Sequence, residues 1–499
     1  MNDAIAFVQT PKDIAKLMIS LISENKKIQK NISILDTGCG KGIFLKGLQE
    51  AGFTNIEGIE LSKDLYEFCS KKFPHVTLYN DDYLDWMSLK EYDLIIGNPP
   101  YTHYNSLPRS SRSKVVRIVG NKESDIYYAF ILKSIELLKE GGELIFIVPY
   151  GFFFNTYAKV IRERIIDNGY LETIIDLDET RLFEDENPET LIFKFVKKSL
   201  ESQQNIRILR IKERNFKPNT INNKAAESLS KSKENEVFTY YERAMFTHES
   251  EVWTTYPEKT FSDFYLLKEV CWIGVGLVSG FEQAFILDEE EKSLLNDEEK
   301  EFLVKSIKAK HCQGYWTDGF EYYLLIDKRI NSEAELKSYP TIHKKLISHK
   351  DSMTVRYFPA SNKWFHWQAL RNYAKLRSFL TQPKIFVPSL DRSTENRFSL
   401  TEEPYLPSGD VLTLVPQHKN PFFLLGYLNS KFFREYYLSA GARRGHRISY
   451  TQRIMSNVKI PVFDQETENK IAKIAKNIFD GKNTAKRKEI DEIISINLK

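Results

Sequence analysis

From residue 32 to about residue 198, short apolar runs alternate with amphipathic stretches. The runs at 32–36, 56–60, 94–97, 144–148, 173–177 and 191–196 read as strands. The stretches at 43–50, 63–72 and 126–139 carry apolar residues three and four apart and read as helices, the last stopped by Gly141-Gly142. Strand alternating with helix predicts an α/β fold, a mostly parallel Rossmann-like sheet with helices on both faces. Only an acidic turn containing Asn187-Pro188 separates the last two runs, too little for a crossover helix, so they are expected to close the sheet as an antiparallel hairpin. The polar segment at about 217–235 reads as a weakly helical, mobile insertion. After about Thr255 the rhythm is lost. Short β-like pieces at 384–388 and 411–415, a periodic helix over 421–438 and a polar helix from about Gln465 predict a separate α+β domain.

Length agrees with that division, because single cores stop growing near about 250–300 residues and this chain has 499. The expected boundaries are 1–255 and 256–499. With 42% hydrophobic and 28% charged residues, wholesale disorder is excluded. The longest apolar-rich run, 144–154, contains a Pro and a Gly and falls short of the roughly 20 residues that span a bilayer. The N-terminus lacks the features of an export signal, so a cytoplasmic protein is expected. Four cysteines without a Cys-x-x-Cys pair, and no His at ligand spacing, suggest neither a disulfide framework nor a metal site. Charge is unevenly placed. Residues 1–200 carry 25 basic and 29 acidic side chains, whereas 341–461 carry 19 basic and 7 acidic, the pattern of a polyanion-binding surface or of a solvated basic face.

Two segments carry chemistry. In the first, Asp36-Thr-Gly-Cys-Gly-Lys-Gly42 joins a predicted strand to a helix, and Glu60 ends the next strand. Glycines at 38, 40 and 42 permit positive φ and close approach of a ligand. The acid after the second strand suits ribose hydroxyls, and a carboxylate at Asp36 would repel a pyrophosphate but suit a cationic amine. S-adenosylmethionine is such a ligand; a tight turn alone is the alternative. In the second segment an apolar strand runs into Asn98-Pro99-Pro100-Tyr101. Two prolines fix φ and hold the Asn98 side chain and the Pro99 carbonyl as rigid acceptors. Acceptors gripping both hydrogens of an aryl amine favour a tetrahedral nitrogen whose lone pair can attack a methyl group in line, with no covalent enzyme intermediate and no metal. Tyr101 would stack on the target base.

With these residues the chain resembles the gamma-class N6-adenine DNA methyltransferases, most closely those of TaqI type with a C-terminal target-recognition domain. The resemblance begins at Val8-Gln9-Thr10-Pro11, similar to the family's N-terminal cofactor segment, where Thr10 can also cap the helix opened by Pro11. It runs through the glycine segment, through Ile59-Glu60-Leu61 and through 81–86, where it implies that Asp82 bonds the cofactor adenine. Asn98 to Tyr101 is the family's catalytic tetrapeptide, and Phe183 matches an aromatic that packs against the flipped base. The resemblance thus implies that Thr10, Asp36, Gly38, Gly40, Glu60, Asp82 and Asn98 bind S-adenosylmethionine, and that Asn98, Pro99, Pro100, Tyr101 and Phe183 act on the base. In the second domain, 423–431 resembles a helix of target-recognition domains and 273–282 that domain's first strand. Arg443, Arg444 and Arg447 lie in the loop that faces DNA in relatives.

A base inside a duplex cannot reach a buried methyl donor, so it must be flipped out, at a few kcal/mol. Stacking on aromatics returns about 1–3 kcal/mol per base. The basic segment 102–122, directly after the tetrapeptide, reads either as a loop that closes over the flipped strand or as a solvated loop. The tetrapeptide also resembles that of enzymes methylating ribosomal RNA adenine or protein glutamine; the basic second domain favours double-stranded DNA. A catalytically silent DNA-binding protein is opposed by the intact tetrapeptide. Few residues precede Val8 and no nuclease segment is recognisable there, so a restriction endonuclease is expected as a separate chain. The enzyme is expected to act as a monomer on DNA.

Overall fold

A computed structural model of the chain describes residues 9–122, 124–178, 180, 189–197, 205–212, 221–250, 252–357, 359–444 and 447–498. They fall into two compact units, Met1–Glu258 and Lys259–Lys499. The first unit runs α1 (Lys12–Ser20), α2 (Glu24–Ile28), β1 (Ile34–Asp36), α3 (Ile43–Glu50), β2 (Ile56–Glu60), α4 (Lys63–Lys72), β3 (Thr77–Asn80), β4 (Tyr92–Gly97), α5 (Arg109–Val119), α6 (Ile126–Leu137) and β5 (Leu138–Pro149). It continues with α7 (Lys159–Asn168), β6 (Gly169–Asp176), β7 (Thr190–Lys197), β8 (Asn205–Ile211), α8 (Ile221–Lys231) and β9 (Phe238–Ala244).

The nine strands form one sheet in the order β3-β2-β1-β4-β5-β7-β6-β8-β9. β1, β2 and β5 carry almost unbroken buried runs, because helices cover both faces and leave no polar side for the strands to show. One face packs against α1, α3 and α8, the other against α5, α6 and α7. β1 pairs parallel with both β2 and β4, so the strand order reverses between β1 and β4 and opens a crevice beyond their carboxyl ends. β7 lies antiparallel between β5 and β6, the hairpin expected from the sequence.

Three parts of the unit depart from the sequence reading. The sheet does not end at the hairpin: β8 pairs parallel with β6, and β9 antiparallel with β8. The polar segment before β9 contains a helix, α8, which buries Ile221, Ala225 and Ser228 at helical spacing. The diglycine does not stop a helix but sits inside β5, where a Cβ on Gly142 would collide with the Lys139 and Tyr92 carbonyl oxygens.

The second unit is α+β. Its largest sheet has five strands in the order Cys271–Val275, Val411–Pro416, Lys384–Pro388, Ser399–Thr401 and Tyr315–Trp316. The helix expected over 421–438 is two helices, Pro421–Leu428 and Lys431–Ala440, divided at Asn429-Ser430. Ser430 caps the second by accepting from Phe433 N at 3.0 Å. Asn429, fully buried, exchanges hydrogen bonds of 3.0 and 2.8 Å with the Phe398 backbone. The Asn-Ser pair therefore serves packing within the unit.

Candidate active site

A cavity of about 400 Å³ occupies the crevice between β1 and β4. Thr10, Gly38, Glu60, Asp82, Asn98, Pro99, Pro100 and Tyr101 all line it, so residues spread over 92 positions of sequence meet at one place. Asp36 and Gly40 do not line it.

The glycine loop divides its work. Gly40 and Gly42 have φ of 53° and 78°, the left-handed region that favours glycine. The Gly40 N–H donates to Glu60 Oε2 at 2.8 Å, while Glu60 Oε1 accepts from Ser62 N at 2.8 Å, which locks the carboxylate at the mouth of β2. Gly38 needs no special φ, and a Cβ there would meet nothing within 4 Å. Its missing side chain leaves open space in the cavity wall, a cradle for a ligand. Asp36 lies below, fully buried, with Oδ1 accepting from Gly38 N at 3.4 Å. Burial pushes its carboxyl well above the usual range, and Glu60 adds to this. Asp36 Oδ2 and the neighbouring Thr37 Oγ1 are buried with no partner among the described residues. Unpaired polar atoms under a glycine cradle suit a polar, cationic ligand portion, as the amino-acid part of S-adenosylmethionine provides.

Asp82 also lines the cavity. Its Oδ1 accepts from Leu84 N at 2.9 Å, and its Oδ2 is paired with Lys114 Nζ at 2.6 Å. Lys114 belongs to α5, so segment 102–122 is not a plain loop. Ser111, Val115 and Val119 are buried four residues apart and Gly120 ends the helix at φ 82°, a spacing that was present in the sequence. Arg117 adds contacts to Asp85 and the Leu84 carbonyl, so the helix is fastened to the Asp82 strand exit.

The tetrapeptide follows β4. Pro99 is buried; Asn98, Pro100 and Tyr101 are half-buried. Asn98 Nδ2 donates to Thr10 Oγ1 at 3.1 Å, and the Tyr101 hydroxyl donates to Asn98 Oδ1 at 2.6 Å. The expected helix cap by Thr10 is absent: α1 has Pro11 at its N-cap and no side-chain cap bond. Cys39 also lines the cavity, its thiol pushed up by the neighbouring Cys69 and by burial. Ile126 and Phe130 of α6 add apolar lining.

Phe183 lies outside the described residues. The backbone of Arg443 and Arg444 belongs to a strand, Ala442–Arg444, that pairs antiparallel with Arg447–Ser449, Arg444 facing Arg447. The arginines expected in a loop thus lie on two paired strands. Among the described residues no group of His, Cys, Asp and Glu could hold a metal ion, and no helix is long and apolar enough to cross a membrane.

The profile of the Eco57I restriction-modification methylase family matches residues 8–183. The chain is 46% identical over 239 residues to the type II methyltransferase M.MjaIV of Methanocaldococcus jannaschii, covering 47% of this chain and 80% of that protein. It is 30% identical over 502 residues to the type II methyltransferase M.HindII of Haemophilus influenzae, covering 92% of this chain and 90% of that protein. Among solved structures, the type IIL restriction-modification enzyme MmeI in complex with DNA has a similar fold, with a TM-score of 0.65 at 11% identity over 97% of this chain and 73% of that one.

Proposed function

Because the chain belongs to the type II methyltransferases of restriction-modification systems, the family of the Eco57I methylase, we propose that it methylates the N6 amino group of an adenine flipped out of double-stranded DNA. The observation that carries this reading is the placement of Asn98-Pro99-Pro100-Tyr101 at the end of β4, in the wall of the cavity that also presents Gly38 and Glu60. When bound, S-adenosylmethionine supplies an electrophilic methyl group on a sulfonium.

The chain's residues hold and orient. The Gly38 cradle, with Asp36 buried beneath it, would hold the polar amino-acid end; Glu60 would take the ribose hydroxyls; Asp82 would accept from the cofactor adenine. Asn98 Oδ1 and the Pro99 carbonyl grip the two hydrogens of the target amine, which removes nitrogen lone-pair density from the ring and aims it at the methyl group. Tyr101 and, by resemblance, Phe183 stack on the flipped base. The basic second unit, with Arg443, Arg444 and Arg447, contacts DNA phosphates and base edges. A separate restriction endonuclease completes the system.

The test is methyl transfer from labelled S-adenosylmethionine to unmethylated genomic DNA, ribosomal RNA and a protein extract in parallel, followed by nucleoside analysis. N6-methyladenine in DNA is expected, and Asn98→Ala is expected to cut its formation at least 100-fold while cofactor binding stays near wild type. Label in RNA or protein with blank DNA, or unchanged turnover of Asn98→Ala, defeats the reading.

A further inference from the structure

The two terminal atoms of a carboxamide have nearly the same shape and opposite chemistry: oxygen accepts and nitrogen donates. Gripping an amine requires the oxygen of Asn98 in one place and one plane. Pro99 and Pro100 fix the backbone, but the last torsion of asparagine is broad and intrinsically soft. A partner on the amide nitrogen as well as on the oxygen therefore fixes which atom faces the target.

Among the described residues, Thr10 is such a partner. Its hydroxyl, on a residue only 4% exposed, lies 3.1 Å from Asn98 Nδ2 across 88 positions of sequence. Thr10 sits on a rigid support. Pro11 follows it with φ −60°, and α1 buries Ile14, Ala15, Leu17 and Met18. The hydroxyl is not used to cap α1. The Tyr101 hydroxyl donates to Asn98 Oδ1 at 2.6 Å and lies 3.2 Å from the Ile147 carbonyl oxygen, so among the described residues both ends of the amide are held.

We propose that Thr10 is a positioning residue for methyl transfer, its hydroxyl anchoring the Asn98 carboxamide in the plane that presents Oδ1 to the target amine. This assigns Thr10 a part in the chemical step in place of the cofactor contact that the resemblance implies for it, and it rests on the reading of Asn98 given above.

The test compares Thr10→Val, which keeps the shape and removes the hydroxyl, with Thr10→Ser, which keeps the hydroxyl. Single-turnover methylation of DNA at saturating cofactor and the dissociation constant for S-adenosylmethionine are measured for each. Thr10→Val is expected to slow the single turnover about 10-fold or more while the cofactor constant moves less than about 3-fold, and Thr10→Ser to restore most of the rate. A weaker cofactor constant with an unchanged saturated rate would make Thr10 a cofactor ligand and overturn the proposal. So would a Thr10→Ser enzyme as slow as Thr10→Val, since a methyl contact would then carry the effect. The wild-type enzyme in the same assay tests the underlying reading separately: absence of N6-methyladenine defeats that reading, whereas wild-type product with an equally fast Thr10→Val defeats only this one.

Discussion

Three glycines of one loop serve two physical ends, and substitution separates them. At Gly42 an alanine would take a left-handed φ at about 1–2 kcal/mol and press its Cβ into the buried Phe73 ring. Gly42→Ala is expected to lower stability by about 2–4 kcal/mol, read as a fall in Tm. At Gly38 the added methyl meets no protein atom, so Gly38→Ala is expected to keep Tm and weaken S-adenosylmethionine binding at least 10-fold. A Gly38→Ala protein that binds the cofactor as tightly as wild type would remove Gly38 from the ligand's path. Asp125, which precedes α6, offers a test by pH. Burial pushes its carboxyl up to about 6, against an opposing pull from His103 at 4.0 Å. The folded state thus holds the proton more tightly than the unfolded chain, and this contribution to stability is complete below about pH 4 and lost as pH rises through 6. Asp125→Asn should accordingly stabilise the protein at pH 8, by up to about 3 kcal/mol at 1.36 kcal/mol per unit of pKa, and leave it unchanged near pH 3.5. Equal Tm differences at both pH values would contradict the burial argument. At this scale the sequence displayed which residues matter, since spacing around glycine and proline reports backbone constraint. It did not display the Thr10–Asn98 bond, because no local pattern encodes a pairing across 88 positions.

Elements were legible where one periodicity ran without interruption. β1, β2 and β4 are short apolar runs with clear ends, and each appears within a few residues of its expected place. α5 was hidden by five basic side chains that made 102–122 look like solvated loop, although its buried stripe recurs every four residues. α8 was masked in the same way by Asn and Lys around Ile221 and Ala225. In the second unit the apolar pattern runs straight across Asn429-Ser430, whose side chains break the helix by bonding backbone, a choice that hydrophobicity does not report. α5 has a consequence for catalysis, since its Lys114 bonds both Asp82 and Asp85 at 2.6 and 2.5 Å. Lys114→Ala releases Asp82 from one of its two fixed partners. The expected result is a rise of about 3- to 10-fold in KM for S-adenosylmethionine with kcat within 2-fold, the scale of one part-buried ion pair near 1 kcal/mol. A fall in kcat at constant KM would place α5 in the chemical step instead.

For the whole molecule the informative quantity is where charge accumulates. Composition gives a net charge of only +3, yet 341–461 holds 19 basic and 7 acidic residues. The structure shows that part of this excess is already engaged: Arg397 is paired with Asp391, Lys345 with Glu291, and buried Lys384 donates to three carbonyl oxygens. Counting charges along a sequence therefore overstates the field available to DNA. Even so, several phosphate contacts suffice to make affinity fall at least about 100-fold between 50 and 200 mM salt, because each neutralised phosphate adds roughly 0.9 to the slope of log K against log salt. Arg443, Arg444 and Arg447 can be judged on the same axis. Replacing Arg443, Arg444 and Arg447 together by Gln should lower that slope by about 2–3 if they meet phosphates. If they read base edges instead, affinity for the target site drops toward that for random DNA while the slope holds. An unchanged slope and an unchanged preference would place the recognition surface elsewhere in the second unit.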